Sequence, residues 1–211
     1  MFRVLTANLY NGGASASALD HLLEELRPDV VAAQELAPDA GEVLGARFPH
    51  GMVAPALDHT GMALAGSVPL EVRRQPLPHR DALVAEGPVT IWCVHLANPV
   101  DAPPPILRRP RQVAALEALL AGSREPTLLV GDLNSTPLWP AYRRLRRHLD
   151  DGVAEWAERT GRPARATWGY RPWLPAMLRI DHALVRHLKV HEAFTVRVPG
   201  ADHRALVVDV G

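Results

Sequence analysis

The sequence predicts a mixed α+β domain built in layers, on three observations. Strand-like apolar runs outnumber helical patterns. Helices separate some of those runs but not others, which fits stacked layers better than a strictly alternating parallel sheet. The chain has 211 residues, 47% hydrophobic and 22% charged, which suits one globular domain over residues 1–211 with room for two sheets.

The elements follow in order. "FRVLTANL" is a strand that runs into a polar end. "SALDHLLEELRPD" is a helix, with Leu19, Leu22, Leu23 and Leu26 on one face. Ser17 and Asp20 suggest its capping box, and Pro28 ends it. "DVVAAQEL" is a second apolar strand closing on Gln-Glu. "GMALAG" and "VTIWCVHLANP" are further strands. "PPPILRRP" is expected as a loop, because consecutive prolines forbid regular pairing. Residues 111–121 form a helix with Val113, Leu116 and Leu120 inward. "PTLLVGDLN" is a strand, and Pro140 opens a helix that buries Tyr142, Leu145 and Leu149. "TWGYRPWLPAML" is an irregular loop. "RIDHALV", "AFTVRV" and "ALVVDV" finish as strands.

The apolar runs share a habit: each ends in, or begins from, a short polar signature. These are "TANLYN", "QEL", "VHLANP", "GDLNSTP", "RIDH" and "GADHRAL". Together they supply Asn8, Glu35, His95, Asp132, Asn134, Asp181, Asp202 and His203. Taken singly, each has a structural reading. Asn8 caps a turn, Glu35 is a solvated strand-end charge, His95 is a core histidine, and Asp181 pairs with Arg179 or His182. Taken together, these residue types at strand ends suggest one pocket. Carboxylates with an Asn amide offer hard oxygens for Mg²⁺ or Mn²⁺. A His beside an Asp is held in one tautomer and can deprotonate water, and an Asn beside an Asp can donate to a phosphoryl oxygen. That chemistry is phosphoester hydrolysis.

The ordered set, above all "GDLN" and the terminal "DH" before an apolar strand, resembles the endonuclease/exonuclease/phosphatase superfamily with its DNase I-like fold. The resemblance runs from Asn8 to His203. It implies a four-layer α/β/β/α sandwich, two packed and mainly antiparallel sheets flanked by helices, with the site at one edge. It implies that Glu35 is the principal metal ligand, with Asn8 and Asp202 near the same ion. It implies that His203 is the catalytic histidine and Asp181 its carboxylate. Asp132 and Asn134 would position the water and bind phosphate, and His95 would contact the scissile phosphate. Ala201 stands where the family often has Ser before the final Asp-His. His95 replaces the Tyr usual in the abasic-site endonuclease branch. The chain is also short for the superfamily, so DNA-gripping insertions are expected to be trimmed.

The substrate is less legible. Twenty-three basic residues balance 23 acidic ones, which argues mildly against an all-over basic nucleic-acid binder. The arginines nevertheless cluster, at 108, 109 and 111, at 143–147 and at 159–165, either as solvated helix faces or as an anion-binding rim. Trp168, Arg171, Trp173 and Arg109 are the candidate substrate contacts. Aromatics interleaved with arginine stack on bases, and the same apolar loop suits a lipid interface. The expected activity is a Mg²⁺- or Mn²⁺-dependent nuclease acting on DNA. The alternative is a phosphatase or phosphodiesterase on a small or lipid (pyro)phosphate, to which a likeness of the segment from "GDLNSTP" to "RIDH" to a membrane-attached bacterial subgroup also points. His59 and Thr60 in "DHTG" are not expected to be essential. Neither a secretory leader nor a membrane span is evident, and a monomeric cytoplasmic protein is expected. Cys93 lies in an apolar run and reads as a buried thiol.

Overall fold

The structure, a computed structural model, describes residues 1–99 and 105–211. The strands are β1 (Phe2–Asn8), β2 (Val30–Gln34), β3 (His50–Ala54), β4 (Met62–Gly66), β5 (Glu71–Gln75), β6 (Ala82–Glu86), β7 (Thr90–His95), β8 (Thr127–Asp132), β9 (Asp150–Asp151), β10 (Asp181–Arg186), β11 (Val190–Arg197) and β12 (Arg204–Val210). The helices are α1 (Ala16–Leu26), α2 (Pro38–Arg47), α3 (Pro105–Gly122), α4 (Pro140–Leu145) and α5 (Gly152–Thr160). Among the described residues they build two mixed six-stranded sheets, ordered β11-β12-β1-β2-β4-β3 and β5-β6-β7-β8-β10-β9. Each sheet has one central parallel pair, β1 with β2 and β7 with β8, and all other neighbours are antiparallel.

Burial explains the layering. Side chains alternate across a strand, so each sheet has two faces to cover. The inner faces meet each other: Val4, Val30, Ala32 and Leu64 share a core with Leu83, Leu128, Val130 and Val185. The outer face of the first sheet, with Leu5, Val31 and Ala33, lies under Leu19 and Leu23 of α1 and Leu44 of α2. The outer face of the second, with Trp92, Val94 and Leu129, lies under Val113 and Leu116 of α3 and Tyr142 and Leu145 of α4. Both faces being buried, the central strands read as nearly unbroken apolar runs. Each fully buried Leu or Val contributes about 1.5–3 kcal/mol. This is the α/β/β/α sandwich of the DNase I-like fold.

The structure corrects several local expectations. The cap of α1 is Ser15, whose Oγ accepts the Ala18 N–H at 3.3 Å, not Ser17. That helix stops at Arg27, left-handed at φ 46°, one residue before Pro28. Residues 105–110 are helical, not a loop: Pro is tolerated in a first turn, and Pro110 forgoes one backbone bond. Prolines 103 and 104 lie outside the described residues. The helices α2 and α5 and the strands β3, β5, β6 and β9 carried no clear pattern. Of these, β3, β5 and β9 are sheet edges, and β5 is mostly exposed.

Candidate active site

The site is the end of the inner core. On β1, Val4, Thr6 and Asn8 share one face. On β7 the series is Ile91, Cys93, His95; on β8, Leu128, Val130, Asp132; on β10, Val185, Ala183, Asp181. The apolar members of each series lie in the inter-sheet core, and the polar member is the last inward position. Register aligns them: Asn8 is opposite Gln34, and Asp132 is opposite both His95 and Asp181. Beneath them Gln34 donates to Thr6 Oγ1 at 3.2 Å and to Cys93 Sγ at 3.2 Å. This polar layer separates the site from the hydrocarbon core. Burial pushes the Cys93 thiol up to about 12, so it stays an inert thiol.

Glycine explains part of "GDLN". Gly131 has φ 134°, and a Cβ there would stand 2.0 Å from the Val94 carbonyl oxygen. The parallel strands β7 and β8 approach too closely for any side chain. Two site residues take left-handed backbone, Glu35 at φ 51° and Asn134 at φ 46°. Asn tolerates that conformation; a Glu there stores strain of the kind found at functional sites.

The polar side chains interlock. Asp132 Oδ1 accepts the Asn134 backbone N–H at 2.7 Å, and Oδ2 accepts from Asn8 Nδ2 at 3.1 Å and Asn134 Nδ2 at 3.2 Å. His203 Nδ1 meets Asp181 Oδ2 at 2.8 Å, and its Nε2 lies 3.9 Å from Asp132 Oδ2. His95 Nε2 sits 3.6 Å from Glu35 Oε1 and 3.5 Å from Asp132 Oδ2. Glu35 also accepts from Asn8 Nδ2 at 3.1 Å and meets His59 Nδ1 at 2.7 Å. Asp202 Oδ2 accepts the Trp168 indole N–H at 3.1 Å, whereas its Oδ1 is buried without a hydrogen-bond partner among the described residues.

Burial and charge set the protonation states. Burial, reinforced by Asp181, raises Asp132 to about 7 against the lowering pull of His203. Burial alone would depress His203; the Asp181 carboxylate, through charge and hydrogen bond, overrides it and lifts the imidazole to about 10. Across 3.9 Å the two charges act on each other, His203 drawing Asp132 down and Asp132 holding His203 up. His95 is pushed well below the ordinary imidazole range by burial, with Arg80 and His203 adding to the effect. Burial raises Asp202, and the nearby charge of Glu35 adds to the shift.

These groups wall a cleft of about 430 Å³. Glu35, His95, Asp132, Asn134, Trp168, Asp202 and His203 line it. Asn8 and Asp181 touch it through their partners. Asn8 Oδ1, the atom a metal would need, instead accepts the Tyr10 N–H at 3.0 Å. The Asn134 amide is likewise engaged, donating to Leu96 O at 2.9 Å as well as to Asp132. Asp181 does not pair with Arg179, which binds Asp151 at 2.7 Å. His182 points to the opposite face, 2.8 Å from Ser135 O and beside the Tyr142 ring.

The sequence-derived substrate residues scatter. Arg109 does not face the cleft. Its guanidinium donates to Ala97 O at 2.7 Å, Leu133 O at 3.1 Å and Asn134 O at 2.8 Å, tying two site loops together. Trp173 is 71% exposed, and Arg171 lies against the Tyr170 and Trp173 rings, away from the cleft lining. Residues that sequence reasoning missed include Arg80, Tyr10 and Trp139 in the cleft wall. Arg80 and Trp139 lie outside every quoted signature, and Tyr10 lies inside "TANLYN", where Asn8 alone was singled out. His59, set aside at first, touches Glu35. Thr167 was also missed: its Oγ1 accepts the N–H groups of Ile180 and Asp181, both at 3.1 Å, and its carbonyl accepts Arg204 N–H at 2.6 Å. It thereby fixes the chains on either side of the Asp181–His203 pair.

A family model, the Endonuclease/Exonuclease/phosphatase family, matches residues 5–203. The chain belongs to the endonuclease/exonuclease/phosphatase family. Its members generally hydrolyse phosphoester bonds and commonly use divalent metals. Solved structures with the same fold include a functionally unknown conserved protein from Enterococcus faecalis V583, at 17% identity and TM-score 0.77, covering 99% of both chains. An endonuclease/exonuclease/phosphatase from Beutenbergia cavernae DSM 12333 is 20% identical with TM-score 0.70, covering 99% of this chain and 71% of its own. A humanized D. rerio TDP2 carrying 14 mutations is 17% identical with TM-score 0.74, covering 100% of this chain and 98% of its own. No curated protein matches the chain. Among the described residues no helix is long and apolar enough to cross a membrane.

Proposed function

We propose that the chain is a divalent-metal-dependent phosphoester hydrolase working through Asp132, Asp181 and His203. The observation that carries this is the row Asp181–His203–Asp132 facing Glu35 and Asp202 across one cleft. Mg²⁺ or Mn²⁺ fits this cleft on the donors present. Glu35 and Asp202 are hard oxygen donors close enough for their charges to interact, and Asp202 Oδ1 is buried and unpaired among the described residues. Among those residues no three His, Cys, Asp or Glu form a cage. Mg²⁺ does not need one, because it keeps several waters and binds through one or two carboxylates plus substrate phosphate. Glu35 and Asp202 would hold the ion, with Asn8 steadying Glu35. Such an ion neutralises phosphate charge and eases departure of the leaving oxygen.

The protein supplies the rest. Asp181 holds the charged His203 ring in the orientation that turns Nε2 into the cleft. Asp132, raised to about 7, accepts the proton of the attacking water beside the positive charge of His203. Asn134 and Asn8 hold Asp132 in place. His95, kept neutral by burial, offers Nε2 toward the phosphate and leaving group.

The geometry favours a compact phosphoester. Several arginines of the candidate rim are spent within the protein: Arg109 on carbonyls, Arg146 on Asp150, Arg159 on Val190 O and Arg162 on Glu192. A second reading, a nuclease on DNA, draws on the exposed Tyr170–Arg171–Trp173 stack, a platform suited to bases. The test incubates the purified protein and Mg²⁺ or Mn²⁺ with bis-p-nitrophenyl phosphate and with supercoiled plasmid. EDTA, Glu35→Gln and His203→Ala are the controls. Turnover of the diester that vanishes in all three supports the hydrolase. Plasmid nicking that also vanishes selects the nuclease. Activity untouched by His203→Ala overturns the assignment.

A further inference from the structure

We infer that a groove beside the cleft holds the hydrocarbon arm of the substrate, so that the site acts on phosphoesters of amphiphilic alcohols. The inference rests on the hydrolase reading above and adds the substrate class. The groove has a volume of about 450 Å³ and is walled by Pro99, Pro110, Val113, Trp139, Pro140 and Ala141. Pro99 and Trp139 also wall the cleft, so the two spaces adjoin.

The groove's surface is carbon. Arg109 and Arg144 border it, but both turn their charges elsewhere, Arg109 to three backbone carbonyls and Arg144 Nε to Glu117 at 2.8 Å. What they show the groove is methylene stem. A sugar-phosphate chain laid there would lose its hydration for no hydrogen bond in return, which is costly. A hydrocarbon chain loses nothing and gains burial. The walls are stiff, with Pro110 and Val113 on α3, Pro140 and Ala141 on α4, and so little ordering is needed on binding. Leu138, the chain neighbour of Trp139, is 81% exposed.

Calorimetric titration of the whole protein with methyl, butyl, hexyl and octyl phosphate, in Mg²⁺ and below micellar concentrations, reads the groove. Each methylene that enters should tighten Kd about three- to fourfold until the groove is full. The heat-capacity change should grow more negative along the series. Ala141→Met, which fills the groove, should lower the octyl-to-methyl affinity ratio at least tenfold. A flat wild-type series overturns the inference, as does an undiminished ratio in an Ala141→Met protein that melts like wild type. The wild-type series decides alone if that variant does not fold. Binding needs no turnover. A rising series without hydrolysis of the alkyl phosphates or of the diester therefore leaves the groove standing and removes the hydrolase reading, and hydrolysis with a flat series does the reverse.

Discussion

Arg109 offers the sharpest test of how the site is held. It was expected to meet substrate; in the structure it braces the Ala97 and Leu133–Asn134 segments through three hydrogen bonds of 2.7–3.1 Å. Replacing it with Met keeps the stem and removes every donor. Each carbonyl left without its partner costs about 1–3 kcal/mol, and water reaching from the half-buried edge lowers the sum to the bottom of the range, about 3 kcal/mol in all. For a chain of this size that is a fall in Tm of about 6–12 °C. Asn134, which positions Asp132, would also shift, and a misplacement near 1 Å costs about 10²-fold in kcat/KM. The assay pairs a thermal melt with diester kinetics. A positioning brace predicts both losses, with kcat falling more than KM rises. If Arg109→Met raises KM alone and leaves the melt unchanged, Arg109 binds substrate and the brace argument fails.

Other expectations follow from the same geometry. Thr167→Val deprives the Ile180 and Asp181 N–H groups of their acceptor, so urea unfolding should show a loss of about 1–3 kcal/mol and kinetics a lower kcat. Burial, helped by Arg179, holds His182 down at about 4, so between that value and the ordinary 6.5 the unfolded chain binds a proton the folded one does not. Stability should therefore fall as pH drops through that window, by up to about 3 kcal/mol, and urea titrations should show His182→Gln flattening the slope. Gly131→Ala meets the Val94 carbonyl at 2.0 Å with φ 134° and should cost more than about 4 kcal/mol or leave no soluble protein. Gly45→Ala, at an exposed position of α2 with nothing within 4 Å, should instead raise the unfolding free energy by about 0.5–1 kcal/mol.

How much of this was legible in the sequence depends on whether a residue's role is written in its own neighbourhood. Asn8, His95, Asp132 and Asp181 were legible because each is the polar terminus of an inward-facing series. The same alternation that builds the core carries one step past it, and a polar residue survives burial there only if others meet it. Gly131 marked the spot for a separate reason, the close approach of two parallel strands. Edge strands such as β5 lack that signal, since one side of their backbone and much of their side-chain surface face water. The braces were illegible for a different reason. Arg109, Gln112 and Thr167 act on backbone atoms far away in the chain: Gln112 accepts the Ala97 N–H at 2.8 Å and donates to His95 O at 3.2 Å, and Arg109 reaches Asn134 O. A carbonyl has no residue type, so no motif announces such a partner. Composition left the arginine clusters open between solvated faces and a rim, because only the fold shows that Arg109, Arg144, Arg146, Arg159 and Arg162 are bonded within the protein. The gathering of the polar side chains at one cleft was thus written in the sequence and could be read, whereas the backbone contacts that brace them required the fold.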